Sequence, residues 1–273
     1  MNILQKIDYI SFRRYNPETL DYRDRVLANG GALSQTTLDA IEKFVQDCKN
    51  ALIWDKFLEV APFAGSNLNA AMVKLVYTAP VAGVITNVNF VSGDYTETGA
   101  NGGLLGDGAT KYLNTGFNAQ SHLPDNAHLS FYLREDVSVA GNRGLIGTLL
   151  ASNEYWLGSI TPATQVNTRL GQVVTATLAS GMSKGFYIGS RTASNLITLY
   201  KNGTAADIDS TSVTNTKPNQ ALYAFGWNSG GLPVAHLPAR ASFYSIGDAL
   251  NDTEAAALHA AVQTLQRNLN RNI

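Results

Sequence analysis

Cysteine is nearly missing from this chain. Cys48 stands alone, so no intrachain disulfide framework can staple the fold. Its position on the apolar stripe of an expected helix makes it a buried, inert thiol. Charge is scarce too. Asp, Glu, Lys and Arg supply 15% of the residues and nearly cancel, to a formal −1. That balance gives no basic surface to neutralise phosphates, so nucleic acid is not expected as a partner. No apolar run approaches the ~20 residues of a membrane-spanning helix, so no membrane insertion is expected. The opening, MNILQKIDYISFRRYNPE, lacks the basic start, long apolar middle and small-residue cleavage site of a secretory signal, which points to synthesis in a cytoplasm.

What is present is apolar and β-rich. A hydrophobic share of 45% over 273 residues is ample for one large β-domain with short additions, or for two small domains. The little charge is uneven: 17 charged residues fall in the first 60 positions and 20 in the next 190. This shift marks a boundary near residue 60.

Residues 1–33 read as an N-terminal docking arm. Ile3, Leu4, Ile7, Ile10 and Phe12 are apolar, but Arg13, Arg14, Pro17, Asp21, Arg23, Asp24 and Arg25 interrupt any core-forming period. Tyr9, Tyr15 and Tyr22 interleave with the arginines, and Tyr and Arg are favoured at protein interfaces. The arm is read either as an extension wrapping its own domain or as an anchor on a neighbouring subunit, with Ile3, Ile7, Ile10, Phe12, Arg13, Arg14 and Tyr15 as the contacts. Residues 34–61 read as a helix. Ser34 is placed as its N-cap, and Leu38, Ile41, Phe44, Val45, Cys48 and Leu52 recur at helical steps. The pattern predicts that it continues through Trp54 and Phe57 and ends before Pro62.

From Lys74 to Gly247 the texture changes to short β-type runs separated by Gly, Asn, Ser and Pro. Strands are expected at 74–78, 84–90, 111–117, 127–133, 144–150, 155–160, 165–170, 173–178, 185–190, 196–201, 222–227 and 241–246. In Ala127–Leu133, Leu129, Phe131 and Leu133 alternate with His128, Ser130 and Tyr132, which predicts one face in the core and one outward. Asn202-Gly203 is a tight-hairpin signal. So many short strands without intervening helices predict a two-sheet antiparallel sandwich. A C-terminal helix over 251–273, capped by Asp252 or Thr253, carries Leu258, Val262, Leu265 and Leu269 and is expected to pack on the sandwich.

Three segments, KGFYIGSRTASNLITLYKNGTA (184–205), GDGATKYLNTGF (106–117) and FVQDCKNALIWDKFLEVAPFAG (44–65), resemble the LamG-like, concanavalin A-like domains of bacteriophage virion proteins. The resemblance covers roughly Pro62 to Arg271. It implies a mainly β, two-sheet jelly-roll sandwich over 62–250, with flanking helices. It further implies a non-enzymatic virion component: a head decoration or head-fibre protein, or a tail-fibre or baseplate element. Its partners would be other virion proteins reached through the arm and further copies of itself, as a homo-oligomer. The alternative reading is a carbohydrate-binding module for host attachment.

Motifs for chemistry are weak. Gly181-Met-Ser183-Lys-Gly185 fits the nucleophile-elbow pattern, but a β-type run follows where the elbow requires a helix. Glycoside hydrolysis needs two facing carboxylates, and Glu154 is the lone glutamate between residues 140 and 247. Asp207 and Asp209 share a strand face but read as solvated. His122, His128, His236 and His259 lack metal-ligand spacing. Some LamG domains hold calcium through an aspartate and loop carbonyls, and Asp107 and Asp209 are the corresponding candidates; no motif requires any other cofactor. For a glycan site, Trp227 and Asn228 pair an aromatic face with an amide at a strand exit, and Arg191 and Asn195 offer further donors. Tyr155-Trp156 lies on a separate expected strand.

Overall fold

In the computed structural model, the described residues are 15–160, 164–171, 175–212 and 216–271. Two helices come first: α1 (Pro17–Ala28) and α2 (Gln35–Asn50). The strands then run β1 (Phe57–Ala61), β2 (Thr86–Val88), β3 (Tyr95–Thr96), β4 (Gly103–Leu105), β5 (Tyr112–Asn118) and β6 (Ala127–Leu133). Short helical turns α3 (Leu68–Ala71) and α4 (Ala119–His122) interrupt that series. Next are β7 (Arg143–Leu150), β8 (Asn153–Ser159), β9 (Val166–Gly171), β10 (Ala176–Leu178), β11 (Gly185–Ala193) and β12 (Leu196–Lys201). The series closes with β13 (Thr204–Asp209), β14 (Ala221–Ala224), β15 (Trp227–Ser229), β16 (Leu232–Val234), β17 (Arg240–Asp248) and α5 (Asp252–Asn268).

These strands form two sheets. The eight-stranded one has the order β13-β12-β11-β6-β17-β4-β3, with β1 also on β17. The nine-stranded one has the order β10-β9-β8-β7-β14-β5-β2, with β15 on β7 and β16 on β15. Every pairing is antiparallel except β15 with β7. The protein is therefore a mainly β, two-sheet sandwich with helices toward both ends. One core lies between the sheets, around Phe63, Phe117, Phe131, Tyr155, Leu157, Phe225 and Tyr244.

A second core sits on the other face of the eight-stranded sheet, where α1, α2 and α5 cover Tyr132, Phe186, Ile188, Tyr200 and Phe243. This layer corrects the expectation for β6: all seven of its residues are buried, because its second face meets helices instead of water. Tyr132 and Ser130 face that layer's side while Leu129 and Phe131 face the sandwich.

Four further expectations change. Residues 17–28, read as part of a docking arm without a core-forming period, make helix α1. Thr19, Tyr22 and Val26 recur three and four apart and are buried, while Asp21, Arg23 and Asp24 point outward; charges on one face do not break an apolar stripe on the other. Arg25 donates to the carbonyls of Lys74 and Leu75. The Ser34 cap forms, accepting from Thr37 N at 3.0 Å, but the helix stops at Asn50. Leu52 takes φ 58°, and Phe57–Ala61 then pairs with β17. The last helix is capped by Asn251, one residue before the predicted cap, in a reciprocal pairing with Glu254. The expected strand at 74–78 is reduced to isolated bridges at Val73 and Val76.

Candidate functional site

The residues expected to form a glycan site are not brought together. Arg191 and Asn195 belong to β11 and the turn after it, in the eight-stranded sheet, whereas Trp227 and Asn228 begin β15 in the nine-stranded one. Arg191 is buried, donating to the Ala193 and Asp125 carbonyls, and Asn195 is exposed at the turn. Asn228 is committed at both ends: Nδ2 donates to Ala221 O, and Oδ1 accepts from Gly231 N. Trp227 is only 3% exposed, and its Nε1 donates to Leu157 O. An open Trp227 face for stacking on a sugar is therefore ruled out. In the arm, Tyr15 bonds within its own chain, to Asp39. Ile3, Ile7, Ile10, Phe12, Arg13 and Arg14 lie outside the described residues.

What the structure does join is Trp227 and Trp156, with ring centroids 4.6 Å apart. Both lie on the outer face of the nine-stranded sheet, over positions without side chains. A Cβ on Gly158 would come within 2.7 Å of the Trp227 ring, one on Gly144 within 2.8 Å, and one on Gly147 within 2.2 Å of Trp156 Cβ. Glycine thus clears the floor on which two indoles rest. Glu154, two residues before Trp156 on β8, shares its face. Its Oε2 accepts from Trp156 Nε1 at 2.6 Å and from Arg169 Nη1 at 2.7 Å. Arg169, paired with Trp156 across β8 and β9, lies 5.3 Å from the indole centroid and donates from Nε to Thr175 Oγ1.

Beside this pair opens a cleft of about 270 Å³, lined by Trp156, Trp227, Leu149, Ile160, Val234 and Ala235, with Asn142, Glu154 and Arg169 as its polar wall. The walls are chiefly apolar, and the two charges neutralise each other. Sequence reasoning missed Glu154, Arg169 and Leu149. The i, i+2 spacing of Glu154 and Trp156 and the glycines at 144, 147 and 158 were the signals that could have found them.

Other candidates are spent on structure. Ser183 Oγ accepts from Lys201 Nζ at 2.5 Å, so the motif serine faces an ammonium donor and not a base. Asp207 Oδ2 accepts from Thr177 N at 2.6 Å; it tethers β13 to β10 and is not simply solvated. Burial alone would raise the Asp107 pKa, but one hydroxyl and three N–H donors hold it well below the usual carboxylate range. Those donors, from Thr110, Ala109 and Lys111, stand where a cation's other ligands would have to be. Among the described residues no group of three His, Cys, Asp or Glu gathers to hold a metal ion.

No family model and no curated protein matches the sequence. Solved structures resemble the chain distantly. The Trypanosoma rangeli sialidase complexed with 2,3-difluorosialic acid is 13% identical, with a TM-score of 0.49 over 84% of this chain and 40% of that one. Domain 4 of a Geobacillus stearothermophilus arabinanase, in complex with arabinotriose, is 12% identical (TM-score 0.47, 74% of this chain and 98% of that one). The CBM40 domain of Ruminococcus gnavus IT-sialidase, bound to α2,3-sialyllactose, is 14% identical (TM-score 0.41, 53% and 91%). Against a botulinum neurotoxin type C chain, the match spans 42% of that chain's length. None of these likenesses bears on ligand or activity here.

Proposed function

We propose that this chain is a non-catalytic, lectin-like binding module whose cleft on the nine-stranded sheet receives a saccharide. The cleft carries the reading: aliphatic walls, backed by two buried indoles, to meet the C–H faces of a sugar, with a carboxylate, a guanidinium and an amide to meet its polar groups. Concave sites with mostly apolar walls and a few placed polar groups are the usual form of small-ligand sites. Glu154 is the one carboxylate among the described lining residues, and hydrolysis of a glycoside would require two. The test is a glycan array with the full chain, followed by calorimetry on its best ligand. Binding should be lost in Leu149→Asp, a half-buried wall position, with the thermal midpoint unchanged and no reducing ends released. A blank array, or release of reducing ends, overturns the reading.

A second reading places the module in a virion, as a head decoration, head-fibre, tail-fibre or baseplate component attached by its N-terminal arm. The arm's composition favours it: Ile3, Ile7, Ile10 and Phe12 would leave apolar area in water at ~25 cal/mol per Å² unless a partner covers it. The layering favours it too, since Tyr15 and α1 lie on the helical side and the cleft lies beyond both sheets. Deleting residues 2–14 should leave a folded module that no longer joins the particle; normal incorporation would refute attachment through the arm. The deletion must stop before Tyr15, because α1 supplies Tyr22 and Val26 to the second core.

A further inference from the structure

The cleft's polar wall is more specific than its composition. Glu154 spends Oε2 on Trp156 and Arg169, and Arg169 spends Nη1 on Glu154 and Nε on Thr175. Among the described residues, Glu154 Oε1 and Arg169 Nη2 make no further hydrogen bond. One acceptor and one donor thus remain on two side chains joined by a 2.7 Å ion pair, both of which line a cavity whose other described walls are Asn142 and the apolar Trp156, Trp227, Leu149, Ile160, Val234 and Ala235. Because each charge is matched by the other, the wall offers a neutral ligand a donor–acceptor couple, and it offers an anionic ligand no unmatched cation.

A neutral group that presents one acceptor, one donor and an adjoining apolar cap is a secondary amide bearing a methyl group. We propose that the cleft recognises the acetamido group of a neutral N-acetylated amino sugar. The amide C=O accepts from Arg169 Nη2, the amide N–H donates to Glu154 Oε1, and the methyl enters the apolar walls. The pyranose ring lies outside, toward Asn142 and the rim at Leu149. A cavity of about 270 Å³ admits an acetamido group with part of its ring and leaves the rest of a longer glycan in solvent. The hydroxyl of glucose must serve both atoms of the couple from a single oxygen and carries no apolar cap, and the ammonium of glucosamine has no acceptor for Arg169 and no cap either. Sialic acid carries the acetamido group but adds a carboxylate beside Glu154, without a spare positive charge to receive it.

This assignment rests on the saccharide reading above, and the experiment separates the two. The full chain is titrated with N-acetylglucosamine, glucose, glucosamine, N-acetylneuraminic acid and, as a non-sugar amide, N-acetyl-lysine, by saturation-transfer NMR and calorimetry. We expect saturation to be strongest on the acetamide methyl of N-acetylglucosamine. Glucose and glucosamine should bind at least about tenfold more weakly, the low end of what a missing apolar group costs in a hydrophobic pocket. Glu154→Gln, which keeps shape and an acceptor but breaks the ion pair, should erase the preference for the N-acetyl sugar over N-acetylneuraminic acid. Val234→Asp, at a half-buried wall, should abolish the methyl signal with fold checked by circular dichroism. Equal binding of glucose and N-acetylglucosamine would overturn the acetamido assignment and leave the saccharide reading standing. Binding of N-acetyl-lysine without any sugar would overturn both, as would no binding of any probe.

Discussion

Acidification should weaken this fold well before its hydrogen-bonded carboxylates at Glu42 and Glu254 titrate, and His128 is the reason. The ring lies on β6 with no exposed surface. Nδ1 is 2.6 Å from Asp248 O, a carbonyl that can only accept, so Nδ1 carries the proton and Nε2 accepts from Ser245 Oγ at 2.9 Å. Ser130 Oγ follows 2.6 Å from Ser245 Oγ. A second ring proton would turn the Ser245 hydroxyl from donor to acceptor and place a charge in a site where burial already lowers the His128 pKa to about 4. The unfolded chain binds a proton at His128 as pH falls through about 6.5, and the folded chain does so only near 4. In between, the unfolded state holds more protons, so stability falls with falling pH, by up to about 1.4 kcal/mol per unit and about 3 kcal/mol across the window. The stability is fully present above pH ~7. Burial also lowers the pKa of His259, which adds in the same direction. Glu42 and Glu254 are held low despite their burial by the hydrogen bonds they accept, so their losses begin only below pH ~4.5. The assay is urea unfolding between pH 7.5 and 5, on wild type, His128→Asn and His259→Gln. Wild type should lose roughly 2 kcal/mol over that interval, and His128→Asn, less stable at the outset, should lose much less. Equal slopes in wild type and His128→Asn would refute the reasoning, as would an NMR titration of His128 near 6.5.

Other consequences follow from buried polar groups and the glycine floor. Lys74 and Glu59, both fully buried 2.9 Å apart, with Tyr244 donating to Glu59, should lose about 3–5 kcal/mol on Lys74→Met alone and far less in Lys74→Met/Glu59→Leu, measured by denaturant unfolding. Arg271, which donates to the carbonyls of Glu97, Pro62, Phe63 and Ser242, joins three distant stretches near the chain end. Arg271→Ala should cost about 3 kcal/mol or more by leaving those acceptors unpaired, and a loss below 1 kcal/mol would show that water replaces it. Gly147→Ala, whose Cβ would fall 2.2 Å from Trp156 Cβ, should cost about 1–3 kcal/mol and quench or shift tryptophan fluorescence, whereas Gly230→Ala, with open space at its Cβ, should leave the fluorescence alone.

Much of the β architecture was legible because strand signals are local. Ala127–Leu133 and Leu196–Lys201 fall where alternation and turn residues put them, and Asn202-Gly203 makes its turn with φ 52° and 76°. The misses are tertiary. Phe57–Ala61 carries helical periodicity when read forward from Leu52, yet it becomes a strand because β17 offers it an edge, and edge pairing leaves no mark in the paired segment alone. Tyr22 and Val26 looked like a broken pattern for the same reason: the helical layer that needs them is assembled from residues more than two hundred positions apart.

The site was half legible, and the half that failed has one physical cause. Choosing Trp227 as a binding platform assumed that an aromatic ring at a strand exit faces solvent. Gly144, Gly147 and Gly158, within expected strands, instead strip side chains from three positions on the outer face of the β7–β8 ladder and let the ring fold back onto Trp156. Burial of both indoles leaves the ligand-facing chemistry to whatever rims them. On β8 and β9 that is an ion pair, Glu154 with Arg169, positioned by the cross-strand register that sets Arg169 opposite Trp156. Aromatic content therefore located the neighbourhood, while register, which no single strand encodes, decided which side chains remain free to bind.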